Sequence, residues 1–283
     1  MQESRPTRWP ILLGAIFLTF LVSAAFAPIL LFEFIDFDVN EQLVENPHVH
    51  GLTGDNLKHI LTSRCVTSYY PVRSLTYALD YQLWGLNPRG FKLTNILIHL
   101  ANVLLAYWFV LRLSCRPTSA DREARVPWWD LFVATFSVGI FAIHPLVVEP
   151  VTWVAGREEL LMTLGALACL HFHVTARRFG EIGGKTNVAL ACYGCAALSC
   201  IAACLSNAVG AVIPLLIVAW DVLTLPRPKW RRILTGTAAL WAASAATIAV
   251  KLGGESGETV VESAPRFSAQ WLMMVLDTYW LNL

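Results

Sequence analysis

The chain has 283 residues, of which 56% are apolar and only 14% charged, and its formal net charge is +1. Soluble domains carry nearer a quarter charged residues, so too little polarity remains to cover a water-facing surface, and no basic excess is present for binding nucleic acid. The seven cysteines imply no disulfide framework: Cys192 and Cys195 form a C-x-x-C string, but Cys200 and Cys204 follow in the same apolar run, and all four read as small helix-packing residues.

The first apolar run, roughly Trp9 to Phe32, is long enough to cross a hydrocarbon core of about 30 Å at about 1.5 Å per residue. It lacks a small-residue cleavage site followed by a soluble domain, so it reads as a retained span. Further runs lie near 91 to 112, 129 to 149, 158 to 176, 188 to 206, 208 to 225, 233 to 250 and from about 269. This predicts an all-α integral membrane protein, a single domain over 1–283 with about seven or eight spans. The last run is cut short at Leu283, so the chain reads as a piece of a longer protein. Spans five and six nearly touch at Leu205-Ser206-Asn207-Ala208, which is either a tight reversal or a helix broken within the membrane. Such a break is tolerated only where protein or water covers its backbone.

Basic residues set the expected orientation. Arg5 and Arg8 precede span one. Arg112, Arg116, Arg122 and Arg125 follow span two, Arg177, Arg178 and Lys185 follow span four, and Arg227, Lys229, Arg231 and Arg232 follow span six. All fall on one side, which the positive-inside rule makes cytoplasmic together with the N-terminus. Most of the acids lie opposite, so chemistry is expected on the outer or lumenal side of a bacterial inner membrane or an endoplasmic reticulum.

The segment from about 33 to 92 is far longer than the usual connection between packed helices. It is also too apolar for a solvated linker. Leu75, Leu79 and Leu83 recur at i, i+4 and i+8, the pattern of an amphipathic helix lying along the membrane interface. Asp36 and Asp38 stand at its start. In an extended segment they share a face, where two carboxylates suit a metal, a sugar or an acceptor hydroxyl; acids at a membrane exit are also often merely solvated.

A second constellation runs from His144 to Glu159. Glu158 and Glu159 fall in a first helical turn, where the macrodipole favours carboxylates. Arg157 sits against that dipole and needs an anion: Glu149 or Glu158 is one answer, a lipid phosphate the other. His144 and Glu149 read equally as a hydrogen-bonded structural pair. Asn95, His99 and Asn102 in span two are expected to face the interior and join helices.

Four strings carry a family resemblance: Glu45-Asn46-Pro47-His48-Val49-His50-Gly51-Leu52-Thr53, Tyr70-Pro71-Val72-Arg73-Ser74-Leu75-Thr76-Tyr77, Leu83 to Asn95, and His144 to Glu159. In order and composition they resemble the membrane domain of TMTC-type proteins, a group with tetratricopeptide repeats that includes protein O-mannosyltransferases. The resemblance implies a GT-C-type multi-span bundle that moves a sugar, mannose-like, from a polyprenyl phosphate carrier to a protein Ser or Thr hydroxyl. It implies Asp38 as general base, with Asp36 on the same face, and a substrate- or phosphate-binding set of Arg157, Arg73, His144, Glu149 and Glu158, in which Arg157 and Arg73 stabilise the leaving charge. The partners implied are a lipid-linked sugar donor, a protein acceptor and membrane lipids; a metal is left open. The chain departs from the family pattern at three places: Val39 replaces a second acid, Ser206-Asn207-Ala208 replaces Ser-Lys-Glu, and Lys92 replaces a histidine. No 34-residue repeat is present. A catalytically degenerate scaffold of the same fold is therefore the second reading, and a transporter, for which no repeated halves are visible, the third.

Overall fold

The structure is a computed structural model that describes residues 9–34, 38–63, 69–114, 127–181, 186–224 and 230–253, and among these every regular element is helical. Helix α1 (Trp9–Phe26) shows how an apolar helix divides its surface. Gly14, Leu18, Val22 and Phe26, one turn apart, point inward, while Leu13, Ile16, Phe17 and Phe20 stay exposed. Exposure of such side chains is expected where the outer solvent is lipid. A short 3-10 turn, Ala27–Leu31, ends this element.

The long loop is folded. A π-helical turn (Asn40–Val44), a 3-10 turn (Pro47–Val49) and helix α2 (Gly54–Thr62) lead to helix α3 (Pro71–Trp84). Thr53 caps α2 by accepting from Asn56 N at 3.2 Å, and Pro71 opens α3 at the position where its missing N–H costs nothing. Helix α4 (Pro88–Ser114) returns the chain through the bundle.

Helices α5 (Trp128–Ile143) and α6 (Pro145–Thr152) meet at a bend of 55°. Pro145 lacks the N–H that would continue α5. The third run is thus broken at His144–Pro145. After a 3-10 turn (Val154–Gly156) come α7 (Arg157–Glu181), α8 (Thr186–Ser206), a 3-10 turn (Ala208–Val212), α9 (Ile213–Thr224) and α10 (Trp230–Gly253).

By length and apolarity, five of the described helical segments can cross a membrane, six if α5 and α6 are one span; Ala208–Thr224 is a shorter apolar helix. The chain is a multi-span, all-α membrane protein. The expected run from about 269 lies outside the described residues.

Three cores hold the bundle. The first joins α1, α4 and α5 around Leu18, Val22, Val103 and Val138. The second joins α7 to α10 around Cys169, Cys200, Cys204 and Ile217. There the cysteines do act as small packing residues: Cys200 and Cys204 Sγ lie 3.6 and 3.7 Å from Ser244 Oγ. Helices α7 and α8 approach so closely at Gly165 that an added Cβ would sit 2.8 Å from the Ala203 Cβ. Without a hydrophobic force between helices in lipid, such close backbone contact is a main source of association. The third core lies in the loop and is taken up below.

The interior polar residues of α4 behave as expected. His99 Nε2 lies 2.9 Å from the Ala142 carbonyl, and Asn102 donates to Leu160 O at 2.9 Å.

Candidate functional site

The loop and the His144–Glu159 string, about a hundred residues apart in sequence, are joined by one apolar core of Val39, Leu43, Val49, Tyr77, Phe91, Val154 and Ala155. Tyr77 Oη seals it by donating to Val154 O at 2.8 Å. Phe91 and Tyr77 meet edge-on at 6.2 Å. The four sequence strings therefore share one end of the bundle.

Helix α3 carries the polar side of this assembly in an inverted sense. Leu75, Leu79 and Leu83 are exposed, the outward stripe expected of an interfacial helix, whereas Arg73, Tyr77 and Asp80 are buried against the protein. Asp80 makes an ion pair with Arg157 at 2.6 Å and accepts from Thr94 Oγ1 at 2.8 Å. Burial raises the Asp80 pKa above the ordinary carboxylate value, opposed by the Arg157 charge and the Thr94 and Arg157 hydrogen bonds.

Arg157 is 0% exposed. Besides Asp80, it donates from Nε to Asn95 Oδ1 at 2.7 Å, from one terminal nitrogen to Thr76 Oγ1 at 3.2 Å and from the other to Phe91 O at 2.8 Å. The guanidinium also stacks over Tyr77 at 4.9 Å. Asn95 in turn reaches the carbonyls of Pro150, Val151 and Trp153. This network is a strut between α3, α4 and the start of α7, and it corrects the expectation for Arg157. The carboxylate it meets is Asp80 rather than Glu149 or Glu158, and its nitrogens donate to Asn95, Thr76 and the Phe91 carbonyl away from the surface.

Arg73 and Glu158, two other expected site residues, do meet: Arg73 donates to Glu158 at 2.9 Å. Arg73 is 2% exposed and the Glu158 side chain 18%, so the pair is largely buried, with Glu158 its more exposed member. Lys251, near the end of α10, lies over the Tyr70 ring at 4.6 Å, and Arg73 lies over the same ring at 4.9 Å. Lys251 Nζ is buried without a hydrogen-bond partner among the described residues. Two cations thus flank one tyrosine beside Glu158.

His144 and Glu149 are exposed, not a buried pair. His144 Nδ1 instead caps α6 by accepting from Leu146 N at 3.2 Å, because Pro145 leaves the next amide as the first free donor. Glu149 remains on the outer surface of α6.

Asp38 is exposed and holds a backbone φ of +32°, the lone non-glycine residue with positive φ among those described. Aspartate is one of few residues that tolerate this region, and such outliers gather at functional sites. Its carbonyl accepts from Gln42 N at 2.9 Å, one residue ahead of the Val39 that caps the π-helical turn. The neighbouring Val39 is 1% exposed within the apolar core. Asp36 lies outside the described residues.

Lys92 has a role that the sequence did not disclose. Buried at the start of α4, it donates to the carbonyls of Phe32 and Glu33 at 2.9 and 2.7 Å, tying down the segment that leads to Asp38. Asn207, where spans five and six meet, accepts from Val209 N at 3.0 Å and caps the following turn. Among the described residues, no group of three or more His, Cys, Asp or Glu side chains is arranged to hold a metal ion.

Beside this geometry stand the comparisons with known proteins. The chain is 34% identical over 152 residues to the Caenorhabditis elegans protein O-mannosyl-transferase F38B6.6, which covers 50% of this chain and 20% of that protein. It is 34% identical over 167 residues to protein O-mannosyl-transferase Tmtc3 of Drosophila melanogaster, covering 55% of this chain and 17% of the relative. It is 31% identical over 160 residues to mouse protein O-mannosyl-transferase TMTC4, covering 53% and 21%. The match therefore spans about a fifth of the length of these curated relatives. No family model matches, and no solved structure does.

Proposed function

Starting from a chain that carries a TMTC-like membrane domain over about half its length, we propose that it is a membrane glycosyltransferase of GT-C type. Its reaction moves a mannose-like sugar from a polyprenyl phosphate to a Ser or Thr hydroxyl of a protein, on the side of the membrane where the loop lies. Asp38 is the general base: the hydroxyl oxygen attacks the anomeric carbon, its proton passes to the Asp38 carboxylate, and the bond from anomeric carbon to phosphate oxygen breaks with its electrons leaving on phosphate. A phosphate leaving group is already a weak base, so no strong general acid is required.

The observation that carries this reading is the exposed, left-handed Asp38 on a loop packed by its own apolar core. Such a carboxylate is held on a defined backbone yet open to an acceptor, which is what positioning for transfer demands. Arg73 and Lys251 supply the positive charge for the leaving phosphate, and Arg157 contributes by fixing α3, which carries Arg73, rather than by touching the donor. His144, Glu149 and Glu158 complete the proposed outer rim. The membrane is a bacterial inner membrane or an endoplasmic reticulum, with the N-terminus cytoplasmic.

The test is transfer of mannose from polyprenyl phosphate mannose to a Ser/Thr peptide by the intact purified protein. A second reading, a scaffold without catalysis, is favoured by Val39, whose position is committed to core, and by Asn207, whose side chain is committed to a cap. It predicts no transfer with any polyprenyl donor.

A further inference from the structure

The opposite half of the bundle, whose helix ends carry Arg112, Arg178 and Arg231, holds a second polar centre. His173 and Arg177 sit one turn apart on α7, and Asp221 faces them from α9; all three are at least nine-tenths buried. His173 Nε2 lies 3.2 Å from each Asp221 carboxylate oxygen, and a terminal nitrogen of Arg177 pairs with the same carboxylate. Arg177 Nε also lies 3.4 Å from His173 Nε2; in the neutral tautomer that donates from Nε2 to the Asp221 carboxylate, Nδ1 is left as an acceptor. That Nδ1 is buried with no partner.

A buried ion pair is weak evidence for stability. Ionisable groups within spans are expensive and are functional-site candidates by default. Here the cluster has a cavity beside it. Its volume is about 350 Å³, and its lining includes His173, Arg177, Tyr193, Thr235, Gly236 and Ala239. That size falls within the range of small-ligand sites. Tyr193 meets His173 edge-on at 5.8 Å. Leu190, also in the lining, is 70% exposed, and Thr235 and Ala239 are exposed as well. These residues lie within apolar spans, so the cavity mouth between α8 and α10 opens to hydrocarbon. Arg178 and Arg231, one turn or less beyond the lining, are exposed at the adjoining helix ends. Polar floor, apolar mouth and basic rim together describe an amphiphile with a negative head.

We propose that this cavity binds the head group of an anionic, hydroxyl-bearing membrane lipid. A head-group hydroxyl donates to His173 Nδ1, the phosphodiester faces Arg177, and the acyl chains leave between α8 and α10. A free phosphate ester shares the polar contacts but has nothing to occupy the apolar mouth.

The delipidated full chain in detergent is titrated with phosphatidylglycerol, with phosphatidylcholine of the same acyl chains and with glycerol 3-phosphate, bound lipid being counted by native mass spectrometry. Phosphatidylglycerol is expected to bind about tenfold to a hundredfold more tightly than phosphatidylcholine, the worth of a hydrogen bond to a charged group, and glycerol 3-phosphate to bind far more weakly. Ala239→Trp, at an exposed lining position, fills the mouth while keeping His173, Arg177 and Asp221, and is expected to abolish the preference. The double variant Arg177→Met with Asp221→Leu removes both charges together, leaving neither buried alone, and is expected to do the same while remaining folded. Equal binding of the two lipids, or an unchanged preference in Ala239→Trp, overturns the proposal. Glycerol 3-phosphate binding as tightly as phosphatidylglycerol assigns the cavity to a water-soluble ligand and overturns it too.

Discussion

Replacing Arg157 by Met separates a strut from a phosphate ligand. The guanidinium is fully buried and serves Asp80, Asn95, Thr76 and the Phe91 carbonyl. Breaking a buried pair by removing one partner costs about 3–5 kcal/mol, because the other charge stays in the low-dielectric interior. The orphaned acceptors Asn95 Oδ1 and Phe91 O add about 1 kcal/mol each. Asp80→Leu made together with Arg157→Met removes the stranded charge, so the double variant should recover about 3 kcal/mol of the loss in the single one. The assay is a double-mutant cycle on denaturant unfolding in detergent, run alongside sugar transfer. If Arg157→Met unfolds at the wild-type midpoint while transfer is lost, the strut account is wrong and Arg157 belongs to the donor site.

Lys92→Met frees the carbonyls of Phe32 and Glu33 and should raise amide hydrogen exchange at 32–34 and 38–42; a rate of transfer lowered about tenfold, with the fold kept, is the companion expectation. Gly165→Val drives a side chain into Ala203 and the Ser199 carbonyl, each 2.8 Å from an ideal Cβ, and should destabilise by about 1–3 kcal/mol in the same unfolding assay. His59 stacks on His48 at 3.5 Å, and burial, followed by the His48 charge, lowers its pKa from 6.5. Its neutral form is favoured in the folded state, so its contribution is complete above pH 6.5 and is lost as the pH falls through the lower folded value. Hydrogen exchange of α2 should therefore accelerate on acidification below pH 6.5, and His59→Asn should flatten that dependence.

The spans were legible because lipid makes apolarity continuous along the chain, and the order in the loop because its apolar residues far exceed what a linker needs. What the sequence could not disclose was pairing. Asp80 lies 77 residues from Arg157, and nothing local links them, although Arg73, Tyr77 and Asp80 do share the face of α3 opposite its leucine stripe. That stripe suggested an interfacial helix and concealed a buried polar face behind it. Arg177 read as one of a loop cluster of arginines; α7 continues past it, and its partner Asp221 was hidden in an apolar run. The i, i+4 spacing of His173 and Arg177 within a span was the available signal. His144 looked buried because its neighbours are apolar, yet the proline after it turns the backbone and makes it a cap.

The central claim is that Asp38 takes the proton from the acceptor hydroxyl. The most direct test compares turnover of polyprenyl phosphate mannose by the intact protein with that of Asp38→Asn, with matched unfolding midpoints showing that both are folded. The account predicts a fall in kcat of about a hundredfold to ten-thousandfold. Turnover by Asp38→Asn equal to that of the unsubstituted chain would contradict it.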